Sequence, residues 1–137
     1  MITFHSLLEF ELSFEKNVAK WIEFTIDQEG RKMGEIAYVF CTDAYLLEKN
    51  IKYLKHNNLT DVISFDYSIG ELISGDIFIS IERVMENTDL LNVKFDNELH
   101  RVMIHGVLHF CGYKDKNMKD KNVMRSKEDY YLSLRTF

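Results

Sequence analysis

Proline is absent from this chain of 137 residues and glycine occurs only six times, so many turns must be formed by asparagine and aspartate. There are only two cysteines, Cys41 and Cys111, which are too few for a disulfide framework. We expect both to be free thiols in the core, as is usual in a reducing compartment. Cys111 is not expected to bind a metal together with His109, because it points away from that histidine on a helix. No apolar run is long enough for a signal peptide or a membrane-spanning helix, which predicts a cytoplasmic protein without a membrane partner.

Basic residues are outnumbered by acidic ones, 17 against 22, which gives a net charge of −5. A negative charge repels nucleic acids and gives no overall support for such a partner. The distribution is uneven, because residues 114–127 contain six bases and two acids, a local net charge of +4. Two interpretations of this segment stay open: a solvated helix face, or a local contact surface for phosphates.

The length predicts one domain over residues 1–137, with 46% hydrophobic residues to form its core. The spacing of apolar residues predicts strands interleaved with helices, followed by helices alone. The expected strands are 1–5, 34–42, 60–67 and 74–81, and the expected helices are 13–30, 42–56, 80–92, 95–111 and 117–137. This order predicts an α+β fold in which a small mixed sheet of about four strands packs against helices.

Two of the expected helices begin with residues that commonly cap helix N-termini, Ser13 and Thr42. The second of these helices carries apolar residues at helical spacing, which predicts that one face is buried. The residues available to the core on that face are Leu46, Leu47, Ile51 and Leu54.

The stretch HGVLHFCGYKD, residues 105–115, has the spacing of a metal site. His105 and His109 are four residues apart on a predicted helix, so their side chains share one face and can converge on one ion. Gly112 can adopt a positive φ, end the helix and send the chain back across that face. Asp115 then arrives as a third ligand. A pair of histidines at this spacing also occurs by chance on many helices, so a structural role for them stays open.

Gly106 stands where zinc peptidases with a similar ligand spacing carry a catalytic glutamate. Those enzymes need the carboxylate to take a proton from the attacking water. Glycine has no side chain, so peptidase action by this route is not expected.

Three segments together resemble the YbeY family of metal-dependent endoribonucleases. HGVLHFCGYKD resembles the family signature HGxLHxxGYDH. TDVISF, residues 60–65, is similar to the family's TDVLSF, and SGDIFIS, residues 74–80, is similar to its GDIxIS strand. The resemblance covers residues 35–130 and implies that His105 and His109 hold the metal.

Two positions depart from the family pattern. The family's third histidine aligns with Asp115, which is an ordinary zinc ligand but lowers the positive charge of the site. The arginine that precedes TDVLSF aligns with Leu54. Leucine cannot form the two parallel hydrogen bonds that a guanidinium donates to a phosphate. Lys52, Lys55 and His56 are possible substitutes, although a surface role on the helix is favoured for each.

The resemblance implies a zinc-dependent endoribonuclease that acts on ribosomal RNA precursors, including the 3′ end of the small-subunit RNA, and in ribosome quality control. His105 and His109 would act through one divalent ion, with RNA and a ribosomal particle as partners. The general base and the oligomeric state are not predicted. Two other hypotheses stay open: a non-catalytic metal-binding factor associated with the ribosome, and a metal-dependent hydrolase of another substrate.

Several residues are candidates for binding the substrate. Asp61 and Ser64 belong to the TDVISF segment and are expected to line the cleft, unless they serve as a capping aspartate and a strand serine. Basic residues on either side of the site are expected to contact phosphates. They are Lys114 and Lys116 on one side, and Lys55 with Lys49 and Lys52 on the other.

Overall fold

The computed structural model describes residues 1–55 and 59–137. Four strands, five α-helices and one π-helical turn are found in these residues. They are β1 (Ile2–Ser6), α1 (Glu15–Gln28), β2 (Lys32–Cys41), α2 (Asp43–Lys49), the π-helical turn (Asn50–Leu54), β3 (Val62–Asp66), β4 (Leu72–Ser80), α3 (Ile81–Leu91), α4 (Phe95–Phe110) and α5 (Met118–Ser133). The predicted α+β class is confirmed. None of the described helices has the length and apolar composition that a membrane span requires.

The four strands form one mixed sheet in the order β1-β2-β4-β3. β1, β2 and β4 are parallel, whereas β3 lies antiparallel to β4 at one edge. Ser64 pairs with Ile77 and Ile63 pairs with Phe78. Because side chains alternate across a strand, Ser64 and Ile77 share one face of the sheet, and Ile63 and Phe78 share the other.

The helix with the two histidines packs against the first of these faces. Gly106 of α4 is buried against Ile77, and the hydroxyl of Tyr38 on β2 donates a hydrogen bond to the Met103 carbonyl of α4 over 2.8 Å. The buried residues of α4 include Leu99, Val102, Met103, Gly106, Val107 and Phe110. α5 packs against α4 in turn. Contacts with the sheet therefore fix the position of α4, and another face of α4 contacts α5.

Two predictions about the first helices are wrong in detail, namely the cap at Ser13 and the length of the second helix, whereas the cap at Thr42 is confirmed. Ser13 does not cap α1, which begins after Phe14 in a left-handed conformation without a side-chain cap. Thr42 does cap α2, since its side chain accepts a hydrogen bond from the Tyr45 amide over 3.2 Å. The helix expected to continue to residue 56 changes to a π-helical turn after Lys49.

The π-helical turn changes which apolar residues are buried. Leu46 of α2 is 1% exposed, as expected, but Ile51 and Leu54 are 48% and 42% exposed. A π turn contains more residues than an α turn, so it rotates the following side chains away from the face set by α2. Ile51 and Leu54 are therefore surface residues and not core residues.

Both cysteines are free and buried, as expected. Burial raises the pKa of the Cys41 thiol to about 12 and that of Cys111 to about 11. A thiol with such a pKa stays protonated at neutral pH and is a poor nucleophile and metal ligand. Both residues therefore act as small core side chains.

Candidate metal centre

His105 and His109 lie one turn apart on α4, and their Nε2 atoms are 2.9 Å from each other. Gly112 has a φ of +106° and lets the chain turn back after the helix. Oδ2 of Asp115 then lies 3.3 Å from Nε2 of His105 and 3.4 Å from Nε2 of His109. These three are the one group of three possible metal ligands found in the described part of the chain. The structure thus brings together the three residues predicted from the sequence.

The hydrogen bonds of the two imidazoles suit a cation between them. Nδ1 of His105 lies 2.6 Å from the Glu128 carboxylate, and Nδ1 of His109 lies 2.9 Å from the Tyr113 carbonyl. Both partners are acceptors, so each Nδ1 carries the proton and each Nε2 presents a lone pair. Two lone pairs and a carboxylate oxygen at such short distances repel one another, and either a metal cation or a proton on one Nε2 relieves this repulsion.

The distances also suit zinc. A tetrahedral zinc ion with bonds of about 2.0–2.2 Å needs donor atoms about 3.3–3.6 Å apart. The separations of 3.3 and 3.4 Å from Asp115 lie in this range, and the 2.9 Å between the histidines is only slightly shorter. The donor set of two imidazoles and one carboxylate is typical of zinc sites that keep a position open for water or substrate.

Glu128 of α5 contacts Nδ1 of His105, the ring nitrogen that does not face the other two candidate ligands. It is 4% exposed, and its other carboxylate oxygen accepts a hydrogen bond from Nη1 of Arg101 over 2.9 Å. Arg101 also donates to the exposed carboxylate of Asp129 over 2.7 Å. A carboxylate behind a metal-binding histidine fixes the ring orientation and raises the basicity of the ligand. Glu128 therefore links the orientation of the candidate ligand His105 on α4 to the position of α5.

The pKa shifts of this pair agree with its geometry. Burial would lower the pKa of His105, but the hydrogen bond and charge of Glu128, with the charges of Asp115 and Asp61, raise it above its ordinary value. Burial would raise the pKa of Glu128, but hydrogen bonds from His105 and Arg101 lower it. Glu128 therefore stays ionised at neutral pH although it is buried.

A cavity of about 420 Å³ opens beside the candidate metal centre. Its lining includes His105 and Asp115 and carries charges of both signs. The basic side chains are Arg101, Lys121 and Arg125, and the other acidic ones are Asp61, Glu98 and Glu128. Burial is the main cause that raises the pKa of both Asp61 and Glu98. The cavity can therefore hold a polar, charged substrate next to the metal ligands.

Gly106 faces the sheet and not the cavity. A Cβ atom at this position would lie 2.9 Å from Cδ1 and 3.1 Å from Cγ2 of Ile77. The close approach of α4 to β4 therefore requires glycine here. A side chain at position 106 would have to displace Ile77, and glycine leaves this position without the carboxylate that zinc peptidases use.

The residues predicted to bind substrate lie in different places. Asp61 lines the cavity and accepts a hydrogen bond from Asn87. Ser64 shares the α4 face of the sheet but is not part of the lining. The lysines predicted to contact phosphates also lie outside the lining of the cavity. They are Lys49, Lys52, Lys55, Lys114 and Lys116. His56 lies outside the described residues.

Sequence reasoning missed four residues at the site. Glu128 and Arg101 form the support of His105, and Lys121 and Arg125 supply positive charge to the cavity. The one sequence signal for these residues was the excess of basic over acidic residues in the segment 114–127, which contains Lys121 and Arg125. No local pattern marks Glu128, because it reaches His105 only when α5 packs on α4.

Comparison with known proteins gives concordant matches. A sequence profile of the family described as Endoribonuclease YbeY matches residues 4–135. A Flavobacterium psychrophilum protein named Endoribonuclease YbeY is 57% identical over 134 residues, which are 98% of this chain and 96% of that protein. A Bacteroides thetaiotaomicron protein of the same name is 41% identical over 121 residues, 88% of each chain.

A solved structure shares the fold. The solution structure of TM1509 from Thermotoga maritima matches with a TM-score of 0.69 and 26% sequence identity. The match covers 97% of this chain and 87% of that one. The arrangement of the strands and helices in this chain is therefore similar to that of a solved protein.

Proposed function

The chain belongs to the Endoribonuclease YbeY family, and we propose on this basis that it is a zinc-dependent endoribonuclease. The observation that best supports this proposal is the group of His105, His109 and Asp115 beside an open cavity with basic side chains. A purely structural zinc site is usually closed by four protein ligands. Only three come together within the described residues, and the cavity adjoins them.

A zinc ion bound there would supply a Lewis acid that stabilises negative charge on a phosphate and lowers the pKa of water. The side chains of His105, His109 and Asp115 hold the donor atoms, and Glu128 keeps the His105 ring in place. Gly106 offers no base for peptide hydrolysis. RNA carries its own neighbouring 2′-hydroxyl, which is an available internal nucleophile for cleavage of a phosphodiester bond.

Positive charge at the cavity is proposed to bind the RNA backbone. Lys121 and Arg125 line the cavity, and both side chains belong to exposed residues of α5. Lys114 and Lys116 extend this basic surface along the loop before α5. Asp61 is proposed to contact substrate inside the cavity, with Ser64 and Lys55 as further contacts on the side of β3.

The substrate is proposed to be a ribosomal RNA precursor, including the 3′ end of the small-subunit RNA, in cytoplasmic ribosome maturation and quality control. Leu54 supplies no guanidinium, is 42% exposed and does not line the cavity. We therefore expect weak turnover on naked RNA and faster turnover on a ribosomal particle that holds the strand in position. A non-catalytic ribosome-associated factor is the second candidate, because Leu54 removes a phosphate contact.

The test is cleavage of single-stranded RNA and of immature ribosomal particles by zinc-loaded protein freed of contaminating nuclease. The wild type should cut RNA, and His109→Ala should not. Leu54→Arg should raise the rate on naked RNA if position 54 reaches the phosphate. Absence of cleavage of either substrate by the wild type would favour the non-catalytic factor, and equal cleavage by His109→Ala would exclude this metal site.

A further inference from the structure

The face of the sheet opposite α4 carries a cluster of aromatic rings that the metal site does not use. The rings of Phe65 on β3 and Phe78 on β4 meet edge to face with centroids 5.8 Å apart. Tyr53 of the π-helical turn meets Phe65 in the same way, also at 5.8 Å. The hydroxyl of Tyr67, which follows β3, donates a hydrogen bond to Asp76 on this same face over 3.3 Å. The rings are therefore held in fixed orientations by one another and by the sheet.

Two of these rings are largely open to solvent. Tyr53 is 51% exposed and Tyr67 is 59% exposed. Neither side chain belongs to the buried clusters that form the core. Large exposed aromatic side chains that are rigidly placed are typical of surfaces that bind a partner.

Two lysine ammonium groups lie over the faces of these rings. The ammonium group of Lys49 is 4.8 Å from the centroid of Phe78 and 5.0 Å from that of Tyr53. The ammonium group of Lys52 is 5.2 Å from the centroid of Tyr53. Residues 49–55 contain three lysines and no acid, in a chain whose net charge is −5. A ligand of this surface should therefore combine negative charge with flat apolar faces.

We propose that these six residues, Lys49, Lys52, Tyr53, Phe65, Tyr67 and Phe78, form a docking surface for single-stranded RNA, here called the ring surface. Unpaired bases stack on exposed aromatic rings, and the adjoining phosphates pair with lysine ammonium groups. This proposal rests on the proposed endoribonuclease function, to which it adds a second RNA-binding surface on the face of the sheet opposite α4. A double helix keeps its bases stacked inside and cannot use the rings in this way.

The ring surface adjoins the metal centre through β3. Asp61 and Val62 at the start of this strand line the cavity beside His105, whereas Phe65 lies on the opposite face. Four residues of a strand span about 13 Å. A strand bound to the ring surface and passing around the β3 edge of the sheet therefore reaches the cavity over a short distance.

The test measures binding without cleavage. A labelled 2′-O-methyl oligouridine, which lacks the free 2′-hydroxyl, is titrated with the zinc-loaded protein and followed by fluorescence anisotropy. Tyr53→Ala should weaken binding about tenfold, because one stacked base is lost. Tyr53→Phe keeps the ring and should bind like the wild type. Tyr130→Ala is the matched control, because Tyr130 on α5 is also 51% exposed but lies on another element.

The outcomes distinguish this inference from the proposed function. Equal affinity of Tyr53→Ala and Tyr130→Ala, or no binding by the wild type, would overturn the ring surface. If Tyr53→Ala does not fold, Tyr67→Ala is compared with Tyr130→Ala under the same criterion. Weakened binding in a protein that does not cut unmodified RNA would support the ring surface and contradict only the nuclease. Cleavage with unchanged binding would contradict only the ring surface.

Discussion

The carboxylate of Glu128 lies 2.6 Å from Nδ1 of His105, so a buried acid of α5 orients a candidate metal ligand of α4. The second oxygen of Glu128 accepts a hydrogen bond from Arg101, which offsets the cost of burying the charge. The candidate metal centre thus depends on how two helices pack and not only on the spacing of residues in one of them.

Glu128→Gln should weaken zinc binding about 10- to 100-fold, the usual cost of losing such a supporting carboxylate. The amide keeps the size of the side chain but removes the negative charge that makes His105 a better donor. Zinc affinity is measured by competition with a chromophoric chelator. Asp129→Asn is the control, because Asp129 also binds Arg101 but does not touch His105. Equal zinc affinities of the two variants would contradict a role of Glu128 at the metal.

The basic residues near the cavity should differ in what they contribute. Changing Lys114, Lys116 and Lys119 together to Gln should lower RNA affinity and flatten its dependence on salt, because fewer counterions are released. Changing Lys121 and Arg125 to Gln should in addition lower the cleavage rate at saturating RNA, since both line the cavity. The measurements are affinity across a salt series and single-turnover cleavage. An unchanged salt dependence would assign the first group to a solvated surface.

Gly106→Ala should lower the free energy of unfolding by about 1–2 kcal/mol, because its Cβ meets Ile77 at 2.9 Å. The better helix propensity of alanine offsets only part of this cost. Ile77→Val removes the nearest atom, so it should cost less in the Gly106→Ala background than in the wild type. Chemical denaturation of the two single variants and the double variant measures this coupling. Strictly additive effects would show that the two residues do not clash.

Acid should destabilise the fold through His100. This residue is 5% exposed, and burial with the nearby charge of Arg135 lowers its pKa from 6.5 to about 4. Between these values the unfolded chain binds the extra proton, so stability is full above pH 6.5 and falls towards pH 4, by about 1.4 kcal/mol per pH unit. His100→Gln should flatten this part of the curve of unfolding free energy against pH. A curve unchanged by His100→Gln but flattened by His5→Gln would contradict this assignment.

The grouping of the three candidate metal ligands was predictable because they lie in one short segment. Helical periodicity alone places His105 and His109 on one face, and Gly112 is the residue that permits the turn before Asp115. Glu128 lies 23 residues from its partner, and only the packing of α5 on α4 brings the two together.

The helix before β3 shows a second limit of sequence patterns. The spacing of Leu46, Ile51 and Leu54 is compatible with one continuous helix, yet the π-helical turn exposes the latter two. A π turn has no distinct composition, since it depends on how the chain leaves α2 for β3. The ring surface follows from this turn, because it is the π-helical turn that places Tyr53 against Phe65.

The most direct test of the central claim is a zinc titration of metal-free protein with RNA cleavage as the readout. Cleavage should rise in proportion to added zinc and level off at one ion per chain, and His105→Ala, His109→Ala and Asp115→Ala should lose both the zinc and the activity. Asp115→His should retain zinc, because imidazole is an equivalent donor. Full cleavage by the metal-free wild type, or by variants whose zinc content has fallen to zero, would contradict the account.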